Sequence, residues 1–331
     1  MSQAGDGERV PGGTGTRPAD ARGGAGAGAP GGGPRRDGTG AESGAAAPAG
    51  PWTPLRLIAW TQGYFARGEV DAPRLTAEIL LAHALGCDRV RLYLDFDKPL
   101  GEPELSAFRT LVLRRAAGEP TAWLTGRKEF LGRSFRVDAR VLVPRPETED
   151  LAEAALAALP EGGAALDLGT GSGCIAVSLA LGRAGARVTA VDASPDALAV
   201  ARENGAALGA TVEWLEGDLY DAVPAGRRFD VVVSNPPYVP SGELAGLARE
   251  VRREPALALD GGPDGLDVLR RVVAGAPAHL LPGGALLVEI HESHADSVPR
   301  LFGEAGLAPA ELHRDLAGLA RWVVARLPAP T

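Results

Sequence analysis

The sequence predicts an α/β fold: a parallel-type sheet covered by helices on both faces, preceded by a small helical domain and a linking β-hairpin. Three observations lead there. After Glu147, short apolar runs alternate with segments of helical period, the pattern of strands joined by crossover helices. Between 52 and 118 the apolar residues recur at helical spacing alone. In KEFLGRSFRVDARVLVP (128–144) the period changes, and Phe130, Phe135, Val137, Val141 and Val143 suit a hairpin.

Taken in order, residues 1–50 are built from Gly, Ala, Pro and Arg, with Val10 the only large aliphatic side chain after Met1. Such a segment cannot bury enough apolar surface to offset its ordering entropy, so a disordered tail is expected. Its acids and arginines balance, which argues against a basic nucleic-acid arm. Across 51–125, Leu55, Ile58, Ala59 and Gln62 mark one helix. Pro73 opens a second, closed by Gly86, and Pro103 opens a third through Arg115. Residues 126–145 would link this helical domain to the α/β domain expected at 146–331. There, 164–168, 186–192, 211–215, 229–235, 284–290 and 322–327 are expected strands. Helices are expected from Cys174 to Leu181, from Pro195, and near 264–275 and 295–305. A ligand would then sit beyond the carboxyl ends of the central strands.

Composition narrows the function classes. The 331 residues are 45% hydrophobic, enough for a packed core. The net charge of −8 argues against long, sequence-independent contact with a nucleic-acid backbone, so no direct nucleic-acid partner is expected. Two cysteines, Cys87 and Cys174, make no disulfide framework and have no metal-ligand spacing, which suits a reducing cytoplasm. No stretch has the length and apolarity of a membrane span, and the N-terminus lacks the apolar segment of a signal peptide. Lysine stands only at 98 and 128 and asparagine only at 204 and 235, so each rare residue invites a reason for its place.

DLGTGSGC (167–174) is a glycine-rich turn between an expected strand and helix. Glycines let the backbone turn sharply and approach a ligand where a Cβ would collide. A dinucleotide fingerprint would put its third glycine at 174, where Cys174 stands. Alone, the loop fits either a nucleotide-like ligand or a plain turn. Asp192 sharpens it. It ends the next strand, about 20 residues on, where an acid accepts both ribose hydroxyls of an adenosine. Asp218, after the third strand, is placed for the adenine amino group, with Leu219 or Tyr220 against the ring. An adenosine with no phosphate to bind points to S-adenosylmethionine.

VVVSNPPYVP (231–240) ends a strand on Asn235, two prolines and an aromatic. Turn chemistry alone would tolerate this. A sharper account exists. An amide or aromatic amine nitrogen is a poor nucleophile, and catalysis can come from aiming its lone pair. The Asn235 side-chain oxygen and the Pro236 carbonyl could grip two N–H bonds, while the prolines offer no competing donors. Tyr238 could pack flat against a planar amide or base.

From Gly118 to the C-terminus the chain resembles the HemK/PrmC family, protein-glutamine N5-methyltransferases that modify peptide-chain release factors. The resemblance rests on GEPTAWLTGRKEFLGRSFRV (118–137), VLVPRPETE (141–149), LDLGTGSG (166–173), AVDASPDAL (190–198), VSNPPYVP (233–240), EPALALDGGPDGL (254–266) and DLAGLARWVVAR (315–326). It implies a class I S-adenosylmethionine-dependent methyltransferase fold, Rossmann-like with a seven-stranded sheet, behind a helical N-terminal domain. It also implies a cytoplasmic enzyme that methylates the Gly-Gly-Gln glutamine of class I release factors in support of translation termination. By the same resemblance Asp167, Leu168, Gly169, Thr170, Gly171 and Asp192 hold the cofactor. Asn235 touches cofactor and substrate, and Pro236, Pro237 and Tyr238 line the glutamine pocket, with Asn235, Pro236 and Tyr238 as the catalytic set. His291 stands where the family usually has Gly, Ala320-Arg321 where it often has Asp-Arg, and residues 1–50 have no expected counterpart. Two rivals stay open: a nucleic-acid amine methyltransferase using the same NPPY logic, and a non-catalytic release-factor-binding module.

Other clusters are read blandly. His291 and His294 in HESH lack a third ligand, so no metal is expected. Cys174 reads as a small buried residue. In RPETE, Arg145, Glu147 and Glu149 fit a helix start with acids in its first turn, or a lid in which Arg145 meets an acidic neighbour.

Overall fold

The computed structural model describes residues 50–329. The tail expected at 1–50 lies, Gly50 apart, outside the described residues. Helices α1 (Pro54–Arg67), α2 (Pro73–Leu85) and α4 (Glu102–Ala116) form where the helical spacing places them. Pro54 and Pro73 each stand at a helix start, where a missing N–H costs nothing. Gly86 ends α2 with φ +63°, a left-handed turn a side chain would resist. Ile58, Phe65, Leu80, Leu81 and Phe108 make the core of this bundle. Two short helices were not expected, α3 (Arg89–Leu94) and α5 (Thr121–Thr125), because so few residues show no period. Asp88 caps α3 by accepting the Arg91 N–H at 2.8 Å.

The hairpin is shorter than expected: β1 (Arg127–Phe130) and β2 (Arg133–Arg136) pair antiparallel across Leu131-Gly132, both at positive φ. Val137, Val141 and Val143 are buried but lie outside any strand. Val137 and Val141 pack on Ala197 and Val200 of helix α8 (Pro195–Leu208). Their apolar spacing serves that docking and not a ladder.

Beyond it stands a seven-stranded sheet in the order β5-β4-β3-β6-β7-β9-β8. Strands β3 (Ala164–Leu168), β4 (Arg187–Asp192), β5 (Val212–Glu216), β6 (Phe229–Ser234) and β7 (Leu280–Glu289) run parallel. The closing strand β9 (Ala320–Arg326) is antiparallel to β7, and β8 (Glu311–Arg314) antiparallel to β9. The edge strand β8 escaped the sequence because ELHR carries a single large apolar side chain. Alternation along the central strands sorts side chains into two cores. Leu166, Leu168, Val232, Leu286 and Val288 face α9 (Asp267–His279) and α10 (Val298–Glu304). Ala165, Val231, Val233 and Leu287 face α6 (Glu147–Ala158) and α7 (Cys174–Gly182).

The order of strands decides where a ligand can enter. From β3 the chain steps outward through β4 and β5, then returns to place β6 on the other flank of β3. The carboxyl ends of β3 and β6 therefore flank a switch point, the natural crevice of such sheets. Leu168 is paired with Ser234, whose hydroxyl donates to the Leu168 carbonyl at 2.8 Å. The glycine loop after β3 and the NPPY segment after β6 are thereby set side by side. The helical domain is tied to the same region. Arg115 of α4 pairs with Glu250, while Arg249 and Arg253 donate to the carbonyls of Ala116 and Ala117 at 2.9 and 2.7 Å.

Candidate active site

A cavity of about 390 Å³ opens at the switch point, within the size range of about 300–1,000 Å³ usual for small-molecule sites. Leu168, Gly169, Thr170 and Gly171 line one side. Gly171 has φ +55°, and its N–H donates to Asp192 Oδ2 at 2.8 Å, so the loop curls toward the end of β4. Asp192 also accepts the Ser194 N–H through Oδ1 at 2.9 Å. Each carboxylate oxygen keeps a second lone pair, and Asp192 lines the cavity as expected of a ribose acceptor. Burial raises its pKa, and the two backbone N–H groups oppose that.

Asp167 is placed differently from expectation. It is fully buried behind the cavity wall and does not line it. Its Oδ2 accepts from the Thr170 hydroxyl at 2.6 Å and the Ala176 N–H at 3.1 Å, which braces the loop against the start of α7. Oδ1 has no partner among the described residues, and burial holds this carboxyl up to about 7. A carboxylate beneath a glycine loop shapes the backbone, whereas contact with a ligand needs an open face. Asp218 and Leu219 do line the cavity, Leu219 at φ +53°. The Asp218 carboxylate is also taken by Arg271 at 2.8 Å on the surface. Tyr220 turns away, donating to the Val272 carbonyl at 2.8 Å and stacking on His279.

On the opposite side, Asn235, Pro236 and Pro237 line the same cavity. Asn235 also borders a second cavity of about 260 Å³, shared with Tyr238, Leu142, Arg145 and His291. Asn235 thus stands, with Leu142, Arg145 and Ala258, on the border between two chambers. The Asn235 Nδ2 donates to Thr148 Oγ1 at 3.2 Å, and Thr148 donates to Glu289 Oε2 at 2.7 Å. The Tyr238 hydroxyl donates to Glu289 Oε1 at 3.3 Å. Asn235 Oδ1 and the Pro236 carbonyl accept no hydrogen bond from the described residues.

The NPPY backbone is held by the EPALALDGGPDGL segment. The Val239 N–H donates to the Leu259 carbonyl, and the Gly261 N–H to the Val239 carbonyl, both at 2.9 Å. A Cβ on Gly265 would come within 2.4 Å of the Tyr238 carbonyl, so glycine is required there by close approach. Glu254 joins this segment to RPETE: it accepts from Arg145 at 2.7 Å and from the Val143 N–H at 3.3 Å, with 1% of its side chain exposed. The helix-start half of the RPETE reading has its counterpart, and of the other half the structure has the ion pair. Glu147, Glu149 and Asp150 fill the first turn of α6, and Arg145 does meet an acid.

Sequence reasoning missed Thr148, Glu254 and Glu289 as individuals, although all three stand in or beside motifs it quoted. It flagged Asn204 for rarity alone. Asn204 accepts the Arg136 N–H at 2.7 Å and donates to the Ser172 carbonyl at 2.8 Å, fastening the hairpin to the glycine loop. His291 and His294 make local contacts, to Ser293 Oγ and the Asp264 carbonyl. No cluster of three or more metal-ligating side chains occurs among the described residues. Cys174 is buried, and burial pushes its thiol up to about 12, far from a reactive thiolate.

Residues 56–126 match the PrmC N-terminal domain, and residues 148–253 the Methyltransferase small domain. The chain is 46% identical over 278 residues to the release factor glutamine methyltransferase of Geobacter sulfurreducens, spanning 83% of this chain and 97% of that protein. The chain belongs to the release factor glutamine methyltransferase family. Over 263 residues it is 48% identical to the Cereibacter sphaeroides release factor glutamine methyltransferase, covering 78% of this chain and 93% of the relative. Among solved structures, the release-factor-specific protein-(glutamine-N5) methyltransferase of Alicyclobacillus acidocaldarius is 34% identical. That comparison covers 59% of this chain and 100% of the other, at a TM-score of 0.37.

Proposed function

We propose that this chain transfers the methyl group of S-adenosylmethionine to the side-chain nitrogen of a release-factor glutamine, the one in the Gly-Gly-Gln motif of class I factors. One observation carries this reading. Asn235 Oδ1 and the Pro236 carbonyl are two neighbouring acceptors without a donor among the described residues, on residues that line the larger chamber where Asn235 borders the smaller. A primary amide has two N–H bonds to give, and two such acceptors would hold both.

The residues present fit the cofactor. Gly169 to Ser172 leave a backbone edge free of large side chains, and Asp192 has lone pairs to spare for two hydroxyls. Leu168, Thr170, Asp218 and Leu219 complete that chamber, with Asp167 acting through the loop. When bound, S-adenosylmethionine supplies a methyl group already activated by its sulfonium. The protein's part is placement. Asn235 and Pro236 orient the amide, Pro237 adds no donor to compete, and Tyr238 flanks the smaller chamber. The acceptor nitrogen would gain one bond to the methyl carbon as the sulfonium carbon–sulfur bond breaks and a neutral thioether leaves, and would shed one proton to solvent, with no side chain required to remove that proton beforehand.

The narrow second chamber suits a glutamine flanked by glycines, whose backbone reaches in without side-chain collision. The helical domain, anchored through Arg115, Arg249 and Arg253, would meet the rest of the factor. Cys87 and Cys174 are free thiols, in keeping with a reducing cytoplasm, and no helix among the described residues is long and apolar enough to cross a membrane. Incubation with labelled S-adenosylmethionine and a competition panel tests the reading: release factor, the factor with that glutamine changed to alanine, ribosomal subunits and duplex DNA. Label confined to the unaltered factor is expected. Label on the altered factor, or preference for ribosomes or DNA, would overturn it.

A further inference from the structure

We propose that Thr148 and Glu289 are positioning residues for methyl transfer: Glu289 holds the Thr148 hydroxyl, and Thr148 holds the Asn235 carboxamide so that its oxygen faces the acceptor. This deepens the function proposed above and rests on it.

An asparagine side chain is nearly symmetric in shape, and a half-turn exchanges its oxygen for its NH2. For an amide acceptor that exchange matters. With the oxygen forward, Asn235 accepts an N–H and the acceptor's lone pair can be aimed. With the NH2 forward, donor meets donor and the grip is lost. Something must decide between the two, and a threonine hydroxyl alone does not, because it can donate or accept.

Glu289 removes that ambiguity. As a carboxylate it can only accept, so the single hydroxyl proton of Thr148 is committed to it across 2.7 Å. Thr148 Oγ1 is left with lone pairs alone to offer Asn235, whose Nδ2 lies at 3.2 Å. Asn235 Oδ1 is thereby turned to the chamber. The other Glu289 oxygen takes the Tyr238 hydroxyl at 3.3 Å, so one carboxylate fixes two walls of the acceptor chamber. The three residues come from the end of β7, the first turn of α6 and the loop after β6.

Keeping Glu289 at 3% exposure is costly for a carboxylate, which favours a task beyond packing. No cation pairs with it directly among the described residues. Arg321 of β9 favours its ionised form from a distance, whereas Glu147 of α6 opposes it. Cys174 of α7 and Tyr238 also face it. Burial raises this carboxyl to about 7, so the relay loses its polarity as Glu289 takes a proton below that value.

The test is steady-state methyl transfer to purified release factor by wild type, Thr148→Val, Thr148→Ser and Glu289→Gln, with thermal melts alongside. Thr148→Val keeps the shape but loses the hydroxyl. It is expected to lower kcat by roughly tenfold or more while the release-factor KM stays within about twofold, as loss of positioning would do. Thr148→Ser should hold kcat within about threefold of wild type, since the hydroxyl is restored. Wild-type kcat should fall from about pH 8 to pH 6, and Glu289→Gln should flatten that limb. Asp167 also titrates near 7, but its proton acts on the glycine loop and would appear in cofactor affinity. If Thr148→Val fails to fold, the pH profiles of Thr148→Ser and Glu289→Gln decide. Normal kcat in Thr148→Val, or an unchanged acidic limb in Glu289→Gln, would overturn the relay. Transfer by the wild type in the same assay leaves the function itself standing either way.

Discussion

The two chambers on either side of Asn235 are built by opposite strategies. The larger one takes one wall from short consecutive stretches at the ends of β3, β4 and β5, where the polar work is done by backbone and by Asp192, and the wall facing it includes Asn235 and Thr148. The smaller one depends on residues far apart in the chain: Asn235 leans on Thr148, Thr148 on Glu289, and Arg145 on Glu254. A ligand that only has to be held can be met by a turn after a strand. An acceptor amide needs two oxygens aimed in one direction, and aim has to be enforced from several sides. On this account the larger chamber should fail by losing affinity and the smaller by losing rate.

The largest effect belongs to Asn235. Asn235→Ala removes one of the two amide acceptors, and kcat should fall about a hundredfold or more. Affinity for the release factor should change little if, as proposed, the factor also docks on the helical domain. Asn235→Asp retains an acceptor at the cost of added charge and should keep a fraction of the activity. Near-normal turnover in Asn235→Ala would break the distinction between the chambers.

Next comes Asp192. Asp192→Ala should weaken S-adenosylmethionine binding by about 1.5–3 kcal/mol, the worth of hydrogen bonds to a charged group, or roughly tenfold to a hundredfold. Because Asp192 also receives the Gly171 N–H, part of the loss would come through the loop. Calorimetric titration with unchanged affinity would remove Asp192 from the binding site. A fall in kcat with affinity intact would reverse the roles given to the two chambers.

A smaller effect is expected at the join between RPETE and EPALAL. Arg145→Ala leaves Glu254 buried with the Val143 N–H as its remaining partner. A buried carboxylate stripped of its cation is destabilising, here by about 1–3 kcal/mol because Arg145 is itself partly exposed. A thermal melt reads this directly. An unchanged melting temperature would mean that the pair does not hold the rim of the smaller chamber.

The same contrast explains what the sequence discloses. Alternating strands and helices, the glycine loop and Asp192 are local signals, and the structure has them where the spacing puts them. β8 and the two short helices α3 and α5 are too brief to carry a period. Val137, Val141 and Val143 look like a strand because apolar residues docking on another element are also spaced by their neighbours. The motif points Asp167 at the ligand, whereas its side chain lies buried behind the loop, because a motif does not say which way a side chain points. Thr148 and Glu289 gave no signal of their own: their pairing spans 141 positions and exists only once β7 lies beside α6.

The central claim is that Asn235 and Pro236 present two oxygens to one amide nitrogen. Peptide mapping after reaction with labelled S-adenosylmethionine tests it most directly, using release factor and the wild-type and Asn235→Ala enzymes. One labelled methyl on the side-chain nitrogen of the Gly-Gly-Gln glutamine, present with wild type and lost with Asn235→Ala, is the predicted result. Label on another residue, or on the same glutamine at an undiminished rate with Asn235→Ala, would contradict it.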